Sequence, residues 1–285
     1  MADTTADAVG VKSWAPAGLP LRILSGVVIG LAALGLLLAG IWGVVVIIAI
    51  AGGLALWEFL GLSARMGFRA QWWLLFPLGA FFAYGPTQLK AVTIEEVLGA
   101  ALVVGSTALL FVPGRRQGLG RWAMSLAGAV YVGIPLNYYL RLYTAQPAGH
   151  RLAWIIFTIV AVVASDVAAL LVGSRLGRHP FFAEISPKKT VEGAAAGLVA
   201  STLVMLVGVF AFLGLAWWQA IVLGELIGIT AVLGDLVESQ MKRIAKVKDS
   251  SRLIPGHGGI LDRLDSLLFP PIVVYLFAYG VGLIH

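Results

Sequence analysis

Apolar residues run in long, nearly unbroken stretches from residue 23 to the C-terminus, separated by short polar segments. A helix needs about 20 mostly apolar residues to cross the hydrocarbon core of a bilayer. That ruler marks nine segments: Ile23 to Ile41, Gly43 to Leu62, Trp72 to Leu89, Ile94 to Val112, Trp122 to Leu140, Leu152 to Val172, Val191 to Leu215, Trp217 to Asp235 and Leu264 to Ile284. The first two nearly touch, but their joint length is about twice what one crossing requires, so two helices are predicted. No internal repeat of fixed period is visible. The pattern predicts an all-α, polytopic integral membrane protein with about nine transmembrane helices.

Composition agrees. Of 285 residues, 60% are hydrophobic and 12% charged, against about 25% charged in a soluble domain. Too little polar side chain exists to coat a water-soluble body of this size. Disordered, collagen-like and disulfide-scaffold classes are excluded as well. The chain has no cysteine, which removes thiolate catalysis, Fe–S clusters and Cys-ligated zinc.

The net charge of +6 becomes informative once the Lys and Arg residues are placed between the predicted spans. One set of connections holds 17: Lys12, Arg22, Arg65, Arg69, Arg115, Arg116, Arg121, Arg175, Arg178, Lys188, Lys189, Lys242, Arg243, Lys246, Lys248, Arg252 and Arg263. The other set holds only 3: Lys90, Arg141 and Arg151. Basic residues stay on the cytoplasmic side during insertion, so a cytoplasmic N-terminus and an outside C-terminus are predicted. Residues 1–22 read as a cytoplasmic tail rather than a signal peptide, because Asp3, Asp7 and Trp14 interrupt them and the following apolar run is too long. Residues 23–150 form an N-terminal membrane region of five spans. Residues 151–285 form a C-terminal membrane region with cytoplasmic loops 173–190 and 236–263. Nine of the 14 acidic residues lie from Asp166 onward, so chemistry is expected in that second region. The short tail without a transit peptide points to a bacterial inner (plasma) membrane.

Carboxylates in membrane helices cost several kcal/mol at the bilayer centre and mark candidate sites. Asp166 falls in the sixth span, Glu225 and Asp235 in the eighth, Asp262 and Asp265 open the ninth, and Glu58 closes the second. Glu58 has a structural or interfacial reading, reaching the headgroup region beside Trp57. Glu225 has a helix–helix hydrogen-bond reading. Asp262 and Asp265 could be helix N-terminal acids favoured by the macrodipole. Their i, i+3 spacing also places both on one helix face, where they repel unless a cation lies between them. Hard oxygen ligands of that kind suit Mg²⁺.

The polar loop before the ninth span packs Lys242, Arg243, Lys246, Lys248 and Arg252 into one short stretch, followed by Pro255, Gly256, His257, Gly258 and Gly259. Positive-inside topology accounts for the charge but not for the glycines. Glycine on each side of a histidine lets backbone amides approach phosphate oxygens closely. In the preceding loop Ser186, Pro187, Lys188, Lys189 and Thr190 lead into the seventh span. This reads either as a Ser/Thr helix cap with Glu192 in the first turn or as an anion site at a helix start; the paired lysines favour the second.

The run from Ser239 to Asp265, SQMKRIAKVKDSSRLIPGHGGILDRLD, resembles the signature of the phosphatidate cytidylyltransferase (CDP-diacylglycerol synthase) family. Two further strings are similar: Ser165-Asp166 leading to Gly173, Gly177 and His179, and Ser186-Pro187-Lys188-Lys189-Thr190 with Glu192-Gly193. The resemblance covers roughly residues 165 to 266; upstream only the hydropathy is similar. It departs from the family at Ala168 and Leu170, where glycine and tyrosine are common.

The resemblance implies a nucleotidyltransferase that converts CTP and phosphatidate to CDP-diacylglycerol and pyrophosphate in a homodimer. No nucleic-acid partner is expected. A phosphatidate oxygen would attack the CTP α-phosphorus in line, with positioning and charge neutralisation carrying catalysis. Asp235, Asp262 and Asp265 are the expected Mg²⁺ ligands, with Asp166 as a fourth, Ser239 as a neutral neighbour, and room for a second cation. Lys242, Arg243 and Lys248 would hold the triphosphate. His257 with Gly258 and Gly259 would donate to a phosphate oxygen, and Ser186, Lys188, Lys189 and Thr190 would bind nucleotide or lipid head group. Competing readings are a CTP-dependent polyprenol or phytol kinase, a cation-coupled transporter of an anionic solute, and a lipid-binding scaffold. Charges clustered on one face disfavour the transporter, which needs a midplane site between repeats.

Overall fold

The computed structural model describes residues 19–88, 92–111, 115–146, 151–208, 214–254 and 258–285. Their regular secondary structure is helical apart from two isolated bridges, Pro180 with Thr190 and Ile254 with Gly258. In chain order the helices are α1 (Leu19–Leu38), α2 (Ile41–Arg65), α3 (Trp72–Gln88), α4 (Ile94–Ala108), α5 (Arg115–Thr144), α6 (Arg151–Leu176), α7 (Val191–Gly208), α8 (Trp217–Ile244), α9 (Leu261–Leu268) and α10 (Pro270–Gly280). A 3₁₀ turn, Leu109–Phe111, extends α4.

Among the described residues, five segments are long and apolar enough to cross a membrane: α2, α4 with its 3₁₀ turn, α6, α7 and α8. Their outward faces carry half-exposed or barer side chains such as Val103, Leu170, Leu203 and Val207. Such a surface is a liability in water and the favoured one in hydrocarbon. α4 buries none of its side chains. Its N-terminus is closed by a capping box, in which Thr93 Oγ1 accepts from the Glu96 amide (3.3 Å) and Glu96 Oε2 accepts from the Thr93 amide (2.9 Å).

The first long apolar stretch does divide into two helices. The break falls at Gly40, whose φ of 90° lies in the left-handed region, and Gly43 then packs on the Leu36 carbonyl. Several boundaries depart from the apolar pattern. α5 begins at Arg115 rather than Trp122. α8 continues past Asp235 to Ile244, because Gly234 through Arg243 still supports a helix although it is no longer apolar. The ninth span is two short helices: Pro270 lacks an N–H and cannot extend α9, but it suits the first position of α10. The seventh span was expected to reach Leu215; α7 ends at Gly208, and residues 209–213 lie outside the described residues.

α2, α3 and α5 pack as one group and α6, α7 and α8 as another, with α9 and α10 wedged between them. Leu75, Phe82 and Ala129 are fully buried in the first group, Leu223, Ile227 and Ala231 in the second, and Leu261, Leu268 and Val274 between them. The Tyr139 hydroxyl donates to the Leu267 carbonyl (2.9 Å), tying α5 to α9.

Small residues set the spacing near the polar end. A β-carbon at Gly193 would stand 2.8 Å from the Ala169 carbonyl oxygen and 3.2 Å from Gly173 Cα, so α6 and α7 meet backbone to backbone. A β-carbon at Gly234 would strike the Asp265 carbonyl oxygen, so α9 lies directly on α8.

Gly234→Ala should therefore lower the thermal unfolding midpoint of the detergent-solubilised protein, at an overpacking cost of about 1–3 kcal/mol. Gly53→Ala, where a β-carbon meets nothing within 4 Å, should be neutral or stabilising by up to about 1 kcal/mol. Equal midpoints for the two variants would contradict the direct seating of α9 on α8.

Candidate active site

The extension of α8 beyond its apolar part decides the site. Asp235, Glu238, Ser239 and Lys242 are spaced three and four apart and share one helix face. Ser239 Oγ donates to Asp235 Oδ1 (3.1 Å). Lys242 Nζ donates to Glu238 Oε2 (2.8 Å) and to Asp262 Oδ1 (2.7 Å), which joins α8 to the start of α9. The Glu238 side chain is wholly buried and that of Lys242 is only 13% exposed, so this triad is largely shielded from solvent.

Asp262 is saturated. Its second oxygen accepts from the Ser250 amide (2.8 Å), the Ser250 hydroxyl (2.7 Å) and the Gly259 amide (2.8 Å). Burial alone would raise its pKa; the donors from Lys242, Ser250 and Gly259 outweigh burial and hold it below the usual carboxylate value. A depressed folded-state pKa contributes stability above the unfolded value and loses it as pH falls through the folded one. Gly258 turns the loop at φ 83°, and a β-carbon there would stand 2.9 Å from Asp262 Oδ2.

Glu58, two turns before the end of α2, is buried and accepts from Ser251 Oγ (2.6 Å), the Ile260 amide (2.9 Å) and the Leu261 amide (2.6 Å), and it shares the single Ser250 hydroxyl proton (3.0 Å) with Asp262. It caps α9 from another helix rather than reaching towards a headgroup region.

Asp265 Oδ1 accepts from the Ser266 amide (2.7 Å), and Ser266 Oγ donates to Asp166 Oδ2 (2.8 Å), linking α9 to α6. Asp265 lies within electrostatic reach of Asp235 and Glu238. Two buried polar atoms beside this network, Tyr131 Oη and Glu238 Oε1, have no hydrogen-bond partner among the described residues. Tyr131 is in the field of Glu238, Asp265 and Asp235.

On the far side of Asp235 opens a cavity of about 240 Å³ whose wall includes Asp166, Leu170, Lys188, Lys189, Thr190 and Asp235. Lys189 Nζ stands 2.7 Å from Asp235 Oδ2. The loop carrying the lysines is fixed by its own backbone and by neighbours. The Ser186 carbonyl accepts from the Lys189 amide (3.1 Å), and Arg243 Nε donates to the Ile185 carbonyl (3.0 Å). Glu192 accepts from the amides of Arg178 and His179 (3.1 and 3.3 Å) and pairs with His179 Nδ1 (2.6 Å). Thr190 caps α7, accepting from the Gly193 amide (3.2 Å), so it is a helix cap as well as part of the cavity wall.

Asp166, Asp235, Lys188, Lys189 and Thr190 thus meet around one cavity, whereas Asp265 is not on its wall and interacts with it only through the charge of Asp235. Several expectations change. Lys242, expected on a triphosphate, is held by two carboxylates. Asp262, expected on a metal, has both oxygens occupied by protein donors. The Gly259 amide, expected to face a phosphate, faces Asp262. Arg243 clamps a loop, Ser186 closes a turn, and Lys248 is exposed. His257 lies outside the described residues, as do Pro255 and Gly256. Glu225 accepts from Thr202 Oγ1 (3.2 Å), the helix–helix bond considered for it.

Glu238, Ser250, Ser266 and Tyr131 were missed. Only Glu238 had a sequence signal, its i, i+4 spacing from Lys242. Among the described residues no three acidic or histidine side chains close around one point; Lys189 and Lys242 lie among the carboxylates instead. The donors Asp166 and Asp235 on the cavity wall are hard oxygens, a set chemically suited to Mg²⁺.

Residues 20–280 match the model of the Cytidylyltransferase family. The chain is 33% identical to the phosphatidate cytidylyltransferase of Bacillus subtilis over 90% of its own length and 97% of the relative's. It is 33% identical to that of Mycobacterium bovis over 74% and 68% of the two chains. With the enzyme of the same name from Synechocystis the identity is 40% over 59% and 66%.

Glu58→Ala would strand three donors, the Ser251 hydroxyl and the Ile260 and Leu261 amides, each unmet buried group costing about 1–3 kcal/mol where water cannot replace the partner. The variant should unfold at lower temperature and be cut faster by trypsin after Lys248 or Arg252. Unchanged cleavage and midpoint would show that Glu58 does not hold this loop.

Proposed function

The chain belongs to the cytidylyltransferase family, and we propose that it joins CTP to phosphatidate in the cavity between α6, α7 and α8, releasing pyrophosphate. The observation that carries this reading is the shared wall on which Asp166 and Asp235 stand beside Lys188, Lys189 and Thr190. Acidic and basic groups on one wall suit a ligand that brings both phosphate and a divalent ion. A phosphatidate oxygen forms a new bond to the CTP α-phosphorus as the bond to the β-phosphate oxygen breaks. The attacking group is already an anion, so the protein need supply no nucleophile.

Lys188 and Lys189 hold phosphate oxygens, and Lys189 exchanges its pairing with Asp235 for a phosphate as substrate enters. Asp166, Asp235 and Asp265 would hold Mg²⁺, with Ser239 beside them, and when bound the ion supplies neutralisation of the polyphosphate charge. Asp262, Lys242 and Glu238 then act as the frame that keeps α8 and α9 in register. Exposed Lys248 and the His257–Gly258 segment complete the phosphate contacts.

A multi-helix membrane protein suits this pair of substrates, one held in the bilayer and one dissolved in water. We further propose nine crossings, with the polar loops and the cavity on the cytoplasmic side of a bacterial inner membrane. The tail 1–22 and the regions 23–150 and 151–285 keep their assignments, except that Glu58 and Tyr131 join the first membrane region to the chemistry of the second. The protein is proposed to work as a homodimer.

Purified Asp265→Asn should lose about 100-fold or more of the Mg²⁺-dependent transfer of label from CTP into extractable lipid, while keeping its thermal midpoint. Near-normal transfer would remove Asp265 from the site. Pyrophosphate should be the released product; release of CDP would mean γ-phosphoryl transfer and a different reaction. Lys188→Ala should raise the apparent KM with kcat nearly unchanged, and a fall in kcat alone would contradict its role in holding substrate.

A further inference from the structure

Away from the acidic network, the α2–α3 connection and the first two turns of α5 enclose a second cavity, of about 410 Å³. Its lining is Gly67, Phe68, Arg69, Gln117, Gly120 and Arg121. The connection is firmly built. The Ala70 amide donates to Ser63 Oγ (3.1 Å) and the Gln71 amide to Ser125 Oγ (2.6 Å). The Phe68 and Arg69 amides both donate to the Ser63 carbonyl (3.0 and 3.3 Å), and both serines are fully buried. Held this way, Arg69 sits at φ 45°, a conformation that a residue with a β-carbon enters at a cost of about 1–2 kcal/mol. Gly120 lets the Phe68 ring close the wall, since a β-carbon there would lie 3.2 Å from it.

The charge in this cavity is unbalanced. Neither Arg69 nor Arg121 has a carboxylate partner among the described residues. The sequence holds no acidic residue between Glu58 and Glu95, and none between Glu96 and Asp166. Two guanidiniums without a carboxylate partner among the described residues give one cavity wall the positive charge and N–H donors that suit a phosphate. The level of the cavity in the membrane is marked by Trp72 and Trp73, which follow the connection directly and are 65% and 56% exposed. Indole rings concentrate at the headgroup layer, and half-exposed Phe68 adds an apolar edge beside the arginines.

We propose that this cavity binds the phosphate of an anionic glycerophospholipid, at a site separate from the one where CTP and phosphatidate react. The lipid rather than a free phosphate is favoured because the basic pair opens beside exposed aromatic surface at the level of the lipid head groups. The site goes beyond the catalytic reading and does not depend on it.

The test is native mass spectrometry of the full-length chain in detergent, titrated with phosphatidylglycerol. Arg69→Gln/Arg121→Gln should bind the lipid at least about tenfold more weakly than the parent. Arg69→Lys/Arg121→Lys should retain most of the binding, and Arg175→Gln/Arg178→Gln, which removes the same charge elsewhere, should match the parent. The glutamine variant should keep the parental CTP turnover at saturating substrate. Equal weakening in both glutamine pairs would reduce the effect to diffuse charge and overturn the site. Displacement of the lipid by inorganic phosphate or pyrophosphate at concentrations comparable to the lipid would identify a soluble anion as the occupant and overturn the lipid assignment. Loss of turnover in the lysine and glutamine variants alike would make the arginines structural, which also overturns it.

Discussion

A carboxyl group buried among apolar helices is tolerated only where protein donors replace the water it has lost, and Glu58 meets that demand with four of them, one shared with Asp262. Two are serine hydroxyls from the polar loop and two are the first backbone amides of α9. The demand runs both ways, because those amides begin a helix and would otherwise lack partners. One side chain two turns inside the end of α2 thereby fixes where α9 starts, and with it the placement of Asp262 and Asp265. The neighbouring triad repeats the logic with charge: Lys242 lies between Glu238 and Asp262, so that a cation bridges these two carboxylates where α8 meets α9.

This frame leaves a different set of charged groups open to the cavity. Asp235 and Asp166 face the cavity, and Lys189 pairs with Asp235 rather than being buried behind it. An ammonium with one carboxylate partner and an open side can exchange that partner for a phosphate, whereas Lys242, gripped from two sides, cannot do so cheaply. The division of labour between two lysines of the same loop-and-helix neighbourhood follows from how many acidic neighbours each one has.

Much of the fold was legible because transfer into hydrocarbon is a sum over residues. The apolar runs marked the helices, and the split of the first long run into α1 and α2 followed from length alone. What misled was treating the end of apolarity as the end of a helix. α8 carries Asp235, Glu238, Ser239 and Lys242 on through its polar final turns because backbone hydrogen bonding does not require lipid. The ninth span broke at Pro270, where a missing N–H outweighed continuous hydrophobicity.

Residue type and spacing alone established an all-helical chain of membrane character, concentrated the acids in its second half, and placed the Lys188–Lys189 pair at a helix start beside a carboxylate-rich segment. The tertiary structure decided which of those charged groups face the cavity and which face each other. Glu58 and Leu261 are far apart along the chain, and no local pattern records that they meet. Hydrophobicity and formal charge belong to each residue by itself, but the role of a buried ion depends on the donors that folding brings within about 3 Å of it.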